Sequence, residues 1–178
     1  MSLAQKNIVI FGSTGSIGVN SLEVVKRFPQ RFRVLGLAAK NNVELLAEQA
    51  REFNVPQVAI GNPEKITELE RLLPSARISA GDEGVAALLD SPDIDIVLNA
   101  LVGSAGLIPT IKAAEKGLII ALANKESLVM AGEIVMQKVR ESGAKLLPVD
   151  SEHNAIYQCL CGEKHEELAE IILTASGG

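Results

Sequence analysis

A doubly wound α/β domain built on a mostly parallel sheet is the fold this sequence predicts, and three observations predict it. Short aliphatic runs alternate with helix-like patterns nearly from end to end, as repeated βα units do. The connections between them are short and marked by Gly, Asn or Pro. The residues are 47% hydrophobic but only 3% aromatic, with no Trp. A core of Val, Ile, Leu and Ala suits strands covered by helices on both faces.

The elements follow in order. Residues 7–11 (N-I-V-I-F) read as a buried strand, followed by a Gly-rich turn and a helix over about 16–28. In that helix Ile17, Leu22, Val25 and Phe28 recur at helical spacing and are expected to face the sheet,. A second strand over 33–38 precedes an amphipathic helix over 43–53, and 57–60 is the third strand. Asn62-Pro63 reads as an N-cap with Pro in the first turn of a helix ending near Leu73,. A short strand at 77–80, a short helix at 83–89 and a strand at 94–98 come next. The loop Val102-Gly103-Ser104-Ala105-Gly106 leads into a helix that Gly117 ends. Strand 118–123 follows, with Asn124 placed to cap the next helix, which closes at Gly143 as a left-handed C-cap,. Residues 145–149 form a strand ending at Asp150, and 152–160 a helix. A charged stretch and an apolar strand over 170–175 complete the chain. We place one domain at 1–150 and the beginning of a second at 151–178, since 178 residues exceed the commonest single-domain size,. A final aliphatic strand needs neighbours, so the sequence reads as a fragment of a longer protein.

Bulk properties exclude several function classes. The net charge is −5, with 17 basic against 22 acidic residues and no basic run, which disfavours nucleic acid as a partner. The most apolar stretches, such as 118–123, are strand-length and too short to cross a bilayer,. A strand beginning near Asn7 leaves no room for a signal peptide, and a cytoplasmic location is expected,. Cys159 and Cys161 stand alone as C-x-C, which makes no zinc site and would strain a disulfide.

The first strand-to-helix turn carries Gly12-Ser13-Thr14-Gly15-Ser16-Ile17-Gly18. In such a turn one glycine permits the tight bend, the next lets amides approach a pyrophosphate, and the last lets helix and strand pack closely. Free N–H groups and the helix dipole favour the anion there. The flanking strand and helix make this a Rossmann-type dinucleotide loop. It lacks the Gly-Lys-Ser/Thr of a P-loop,. NAD-binding domains usually place an acid after the second strand, where it would repel a 2′-phosphate. This chain has Ala38-Ala39-Lys40-Asn41-Asn42 there, a cation with amide donors, which points to NADP.

Two polar clusters sit at strand ends, where open α/β sheets place their chemistry. In Asn124-Lys125-Glu126 the Asn and Glu have ordinary helix-start roles. Lys125 opposes the helix dipole, and an anionic ligand or nearby carboxylates would explain it. In Asp150-Ser151-Glu152-His153-Asn154 two carboxylates can converge on a hard cation. A plain helix start, with Ser151 as cap, accounts equally well for the same residues. His153 could ligate, donate to substrate or be buried.

Taken together, G-S-T-G-S-I-G at 12–18, N-A-L-V-G at 99–103, A-L-A-N-K-E-S-L-V at 121–129, L-P-V-D-S-E-H-N-A-I at 147–156 and the terminal L-T-A-S-G-G closely resemble the 1-deoxy-D-xylulose 5-phosphate reductoisomerases. They fall in that family's order and spacing along essentially the whole chain. The resemblance implies an enzyme of non-mevalonate isoprenoid biosynthesis that uses NADPH and Mg²⁺ or Mn²⁺. Such an enzyme rearranges a phosphorylated keto sugar and reduces the product to 2-C-methyl-D-erythritol 4-phosphate. It further implies that Thr14, Gly15, Ser16 and Ile17 hold the pyrophosphate. Ala39, Lys40 and Asn41 would surround the adenosine end, with Asn124 and Glu126 near the cofactor. Asp150 and Glu152 would be metal ligands, Lys125 and Ser151 substrate contacts, and Ser176 a contact at the substrate phosphate. Glu152 would also belong to the catalytic set. Where the family often has Gly before its Lys-Asn pair, this chain has Ala39.

The second half of the family's pattern, with a third acidic ligand, a flap and a helical domain, is absent. The chain alone is therefore expected not to turn over. A homodimer is implied for the intact enzyme. Two other readings are a non-catalytic NADP-binding module and another NADP oxidoreductase. Of the latter, extended short-chain dehydrogenases need Tyr-x-x-x-Lys, and Tyr157 is followed four residues on by Cys161.

Overall fold

The computed structural model describes residues 4–172. Seven strands form one sheet in the order β4-β3-β2-β1-β5-β6-β7, and every pairing is parallel. The strands are β1 (Lys6–Phe11), β2 (Phe32–Ala39), β3 (Gln57–Ile60), β4 (Arg77–Ala80), β5 (Ile96–Asn99), β6 (Ile119–Leu122) and β7 (Lys145–Pro148). The helices are α1 (Ser16–Arg27), α2 (Val43–Glu52), α3 (Ile66–Leu72), α4 (Gly81–Ala87), α5 (Leu107–Glu115), α6 (Glu126–Ser142) and α7 (Ser151–Leu160). The doubly wound Rossmann-type fold expected from the alternating pattern is the one observed.

Alternate residues of each strand serve opposite faces. Ile8 and Ile10 join Leu22 and Val25 of α1, Leu46 of α2 and Leu69 of α3 in one core. Val9 and Phe11 join Val85 of α4 and Ala113 and Ala114 of α5 in the other. Each fully buried large side chain contributes roughly 1.5–3 kcal/mol of transfer free energy, so both faces of β1 are anchored. The β1–β2 register shifts between Ile8 and Val9, passing over Leu35.

Several details differ from expectation. Ile17 and Phe28 are exposed, and the sheet-facing residues of α1 are Gly18, Leu22 and Val25. Helical spacing marks an apolar stripe but cannot tell its centre from its rim. The third helix opens with a 3₁₀ turn at Pro63–Lys65, and Asn62 caps it by accepting from the Glu64 amide at 3.1 Å. Another 3₁₀ turn at Gly103–Gly106 precedes α5. Within α6, Ala131 is non-helical (φ −148°, ψ 36°), so the helix is two pieces joined at a kink. Residues 170–172 carry no strand; the rest of that expected strand lies outside the described residues. The helix α7 buries none of its residues, and Cys159 and Cys161 are both exposed.

The entry into the central strand is tied electrostatically. Asp95 accepts from the Lys6 ammonium at 2.6 Å and from the Asn7 amide at 2.9 Å. The Lys6 hydrogen bond, then that of Asn7, hold its carboxyl below the usual range. A depressed folded pKa contributes stability that is complete above the unfolded value of about 3.9. It is lost as pH falls through the folded value. Asp95→Asn should therefore be less stable than its parent by roughly 1 kcal/mol at neutral pH. Urea denaturation at neutral pH and in acid should show the two curves converging as the carboxyl protonates.

Candidate functional site

The sheet reverses direction of winding at β1, with β2 on one side and β5 on the other. Ligands of open α/β sheets bind beyond the strand carboxyl ends at such a point. Gly12 to Gly18 span this corner. Gly12 has φ +81°, and a Cβ there would lie 2.5 Å from the Ala100 carbonyl oxygen. A Cβ on Gly18 would collide with the Gly12 carbonyl and sit 2.5 Å from the Ser13 Cα. Both glycines are required by the protein's own packing.

Gly15 is different. Its backbone is ordinary extended (φ −81°, ψ 169°), and a Cβ would meet nothing nearer than the Gly12 carbonyl at 3.4 Å. Nothing inside the fold requires glycine there. The space that its missing side chain leaves lies over the α1 N-terminus. That terminus has no side-chain cap and no acid in its first turn. The amides of Ser16, Ile17 and Gly18 have no backbone acceptor among the described residues. Gly15, Ser16 and Ile17 are exposed and Thr14 is half-buried. Unspent N–H groups, an uncompensated dipole and open space fit a pyrophosphate.

Beyond β2, Ala39 is buried while Lys40 and Asn41 are exposed. Lys40 forms no ion pair among the described residues. It lines a cavity of ≈ 700 Å³ whose walls include Gly61, Asp82, Leu101, Ile108 and Pro109. Apolar lining residues beside the Lys40 ammonium suit a flat base and an attached anion. Asn41 accepts from the Asn62 side chain at 3.1 Å, so its carboxamide is already oriented. The acids Asp82 and Glu83, at the start of α4, face the same cavity; sequence spacing from the glycine loop did not flag them.

The Asn124 side chain is 1% exposed and spends its whole hydrogen-bonding capacity internally. Its amide donates to the carbonyls of Leu101 at 2.7 Å and Gly103 at 2.9 Å. Its oxygen accepts from the Ser127 amide at 3.0 Å and from the Ser127 hydroxyl. Asn124 thus caps α6 as expected, and also holds the loop before α5, with no donor left for a ligand. Asn99, missed as a site-building residue, does the same one strand away. Fully buried, it donates to the Gly106 carbonyl and the Thr110 hydroxyl, both at 2.8 Å. A polar residue ending an aliphatic strand was the available signal. Glu126 is half-buried in the first turn of α6.

The second cluster forms around Asp150. Lys125 Nζ lies 3.1 Å from one carboxylate oxygen and His153 Nδ1 3.1 Å from the other. The Lys125 hydrogen bond holds the Asp150 carboxyl below its usual range, and the same contact raises the Lys125 pKa. The anomaly of a lysine at a helix start is thereby explained: a carboxylate from the neighbouring strand end meets it. Asp150, not Ser151, occupies the N-cap position of α7. The Ser151 hydroxyl donates instead to the Glu152 carboxylate at 2.9 Å, because Ser151 already has helical geometry. Lys125, Ser151, Glu152 and His153 are all exposed. Among the described residues no group of three or more acids, His or Cys converges as a metal centre. Asp150 and Glu152 are two carboxylates at this strand end, the donor type a hard cation takes, and two fall short of its usual shell. Ser176 lies outside the described residues.

Comparisons with known proteins bear on this geometry. A family model described as 1-deoxy-D-xylulose 5-phosphate reductoisomerase matches residues 8–132. A second, for the C-terminal domain of the same enzyme, matches 146–178. Curated reductoisomerases from Thermodesulfovibrio yellowstonii and Chloroherpeton thalassium are 50% and 52% identical over 97% of this chain. The chain spans 45% of the length of each. A reductoisomerase crystal structure with magnesium is 40% identical with a TM-score of 0.85, over 87% of this chain and 40% of that one. The Zymomonas mobilis enzyme in complex with NADPH is 40% identical with a TM-score of 0.84, over 88% and 42%. Biliverdin reductase from Synechocystis, at 20% identity and a TM-score of 0.58, shares the fold alone.

Proposed function

The chain belongs to the 1-deoxy-D-xylulose 5-phosphate reductoisomerase family, and from that premise we propose that it supplies the NADPH site and part of the metal and substrate site of such an enzyme. The reaction converts 1-deoxy-D-xylulose 5-phosphate to 2-C-methyl-D-erythritol 4-phosphate in non-mevalonate isoprenoid biosynthesis. The single observation that carries the reading is the α1 N-terminus. It has free amides, no cap, and a glycine that the fold itself does not require. Residues 1–150 would form the cofactor domain and 151–178 the start of the substrate domain.

When bound, NADPH supplies a hydride, and Mg²⁺ or Mn²⁺ the Lewis acidity that polarises adjacent substrate oxygens. The chain's own residues do the rest by placement. Thr14, Gly15, Ser16 and Ile17 would hold the pyrophosphate, with the unspent amides of Ser16 and Ile17 as donors, since the Gly15 amide already donates to the Gly12 carbonyl at 3.1 Å. Lys40 would pair with the 2′-phosphate, with Ala39 and Asn41 beside it. Asn124 shapes the loop under the cofactor, and Glu126 stands at the same helix start. Asp150 and Glu152 would be the oxygen ligands. Lys125 keeps Asp150 ionised and presents an ammonium toward an anionic substrate beside Ser151, and Ser176 would meet the substrate phosphate. No helix among the described residues is long and apolar enough to cross a membrane. A cytoplasmic enzyme, homodimeric when intact, is the expected setting.

Calorimetric titration tests the cofactor half. NADPH should bind far more tightly than NADH. Lys40→Ala should cost NADPH roughly 10- to 100-fold, the worth of one charge-assisted hydrogen bond, with NADH unaffected. Equal binding of both cofactors would overturn the 2′-phosphate assignment. Turnover is assayed in a protein of the relatives' full length, with Mg²⁺ and the keto sugar phosphate, by loss of NADPH absorbance. No consumption there would leave only a cofactor-binding module.

A further inference from the structure

We propose that Gln49 is a positioning residue for the dinucleotide loop, fixing the Ser13–Thr14 peptide from α2; the inference rests on the NADPH reading above. Gln49 is only 5% exposed, on the helix face that otherwise buries Val43, Leu46, Ala47 and Ala50. Its Nε2 donates to the Ser13 carbonyl at 2.9 Å across 36 residues of sequence. On the other side of the same residue, the Ser13 amide donates to the Ala38 carbonyl at 2.9 Å, as the Gly12 amide does at 2.8 Å. The end of β2 thus holds the N–H of Ser13, and α2 holds its carbonyl.

The chain next runs through Thr14 and Gly15 into Ser16, Ile17 and Gly18, whose amides have no backbone acceptor among the described residues. Rotation of the Ser13–Thr14 peptide plane would re-aim them. A buried carboxamide carries a desolvation cost that a packing residue avoids. Here that cost is incompletely offset, since the Gln49 Oε1 and the fully buried Ser13 Oγ have no hydrogen-bond partner among the described residues. A joint that only had to be filled would take Leu or Met. What the amide alone supplies is a donor to the Ser13 carbonyl. The same helix begins at Val43, two residues after Asn41, so one element sets the loop and the adenosine end against each other.

The test is NADPH titration of the 178-residue chain and of Gln49→Leu and Gln49→Glu, with melting temperatures followed in parallel. Gln49→Leu fills the same space, so it should melt within a few degrees of the parent while NADPH affinity falls roughly tenfold or more. Gln49→Glu can donate to the Ser13 carbonyl only as the neutral acid. Its affinity, relative to the unsubstituted chain at each pH, should be restored in acid and lost as the carboxyl ionises. Unchanged affinity in Gln49→Leu, or a Gln49→Glu variant that tracks the parent at every pH, overturns the proposal. Should Gln49→Leu not fold, the pH profile of Gln49→Glu decides alone. Absence of NADPH binding by the unsubstituted chain overturns the cofactor reading and this inference with it.

Discussion

Replacing Gly15 by Ala is expected to cost NADPH binding roughly a hundredfold, about 2.7 kcal/mol, while leaving the melting temperature of the free chain nearly unchanged. The two parts of that expectation have separate causes. In the free chain the new methyl meets the Gly12 carbonyl at 3.4 Å, and the backbone angles are ones that Ala adopts freely. Stiffening the unfolded chain adds about 0.4–1 kcal/mol of stability. Losing Gly at an N-cap position removes an amount of similar order, so the two nearly cancel. In the complex the methyl occupies the space through which the pyrophosphate reaches the amides, and that loss has no compensation. Gly18→Ala is the control with the opposite signature. Its methyl sits 2.5 Å from the Ser13 Cα and 2.7 Å from the Ser13 carbonyl carbon. Helix propensity returns about 1 kcal/mol, but pushing backbone against backbone costs roughly 3 kcal/mol or more. Gly18→Ala should therefore lower the melting temperature, and Gly15→Ala should not. If both variants melt like the parent, or Gly15→Ala binds NADPH normally, the division of labour within the loop is wrong.

Asn124→Asp should destabilise the chain by roughly 3–5 kcal/mol at neutral pH. The substitution keeps the shape but turns a two-proton donor into an acceptor. That acceptor faces the Leu101 and Gly103 carbonyls, at the 2.7 and 2.9 Å that the amide now bridges. Rotating the group does not help, because the present oxygen already serves the Ser127 amide and hydroxyl. The carboxyl would be pushed to a folded pKa above its unfolded value of about 3.9. Below the unfolded value it is neutral in both states, and the variant should come closest to its parent. As pH rises through the folded value the relative stability is lost, reaching its lowest level above it. Chemical denaturation of both proteins across that range measures the effect. A difference that stays constant with pH would show that the Asn124 amide does not face those carbonyls. Because Leu101 and Val102 also line the ≈ 700 Å³ cavity, the variant should bind NADPH more weakly even where it remains folded.

The alternation of aliphatic runs and helical patterns was enough to locate all seven paired strands, since each strand buried on both faces must be nearly continuous Val, Ile, Leu and Ala. Its limits were at the edges. Ile17 and Phe28 share the spacing of Leu22 and Val25 yet are exposed, because spacing marks the apolar stripe without separating its centre from its rim. The Ser151 cap was misplaced by one residue, since the helix begins one residue earlier and already includes Ser151. The kink at Ala131 had no sequence mark beyond the following Gly132.

For the site, the sequence by itself determined the chemistry that each segment could offer. The glycine loop, the acid-free end of the second strand and the two polar clusters at strand ends were all legible, because backbone conformation and charge placement are local properties. Which groups meet was decided only by the tertiary structure. Gln49 reaches Ser13, Asn124 reaches Leu101 and Gly103, and Lys125 reaches Asp150 across separations of 36, 23, 21 and 25 residues. The Asn124 and Lys125 contacts form where parallel strands end side by side, and the Gln49 contact where α2 packs against the loop after β1. Hydrogen bonds and ion pairs depend on distances that the order and register of strands create, and no local pattern records that order.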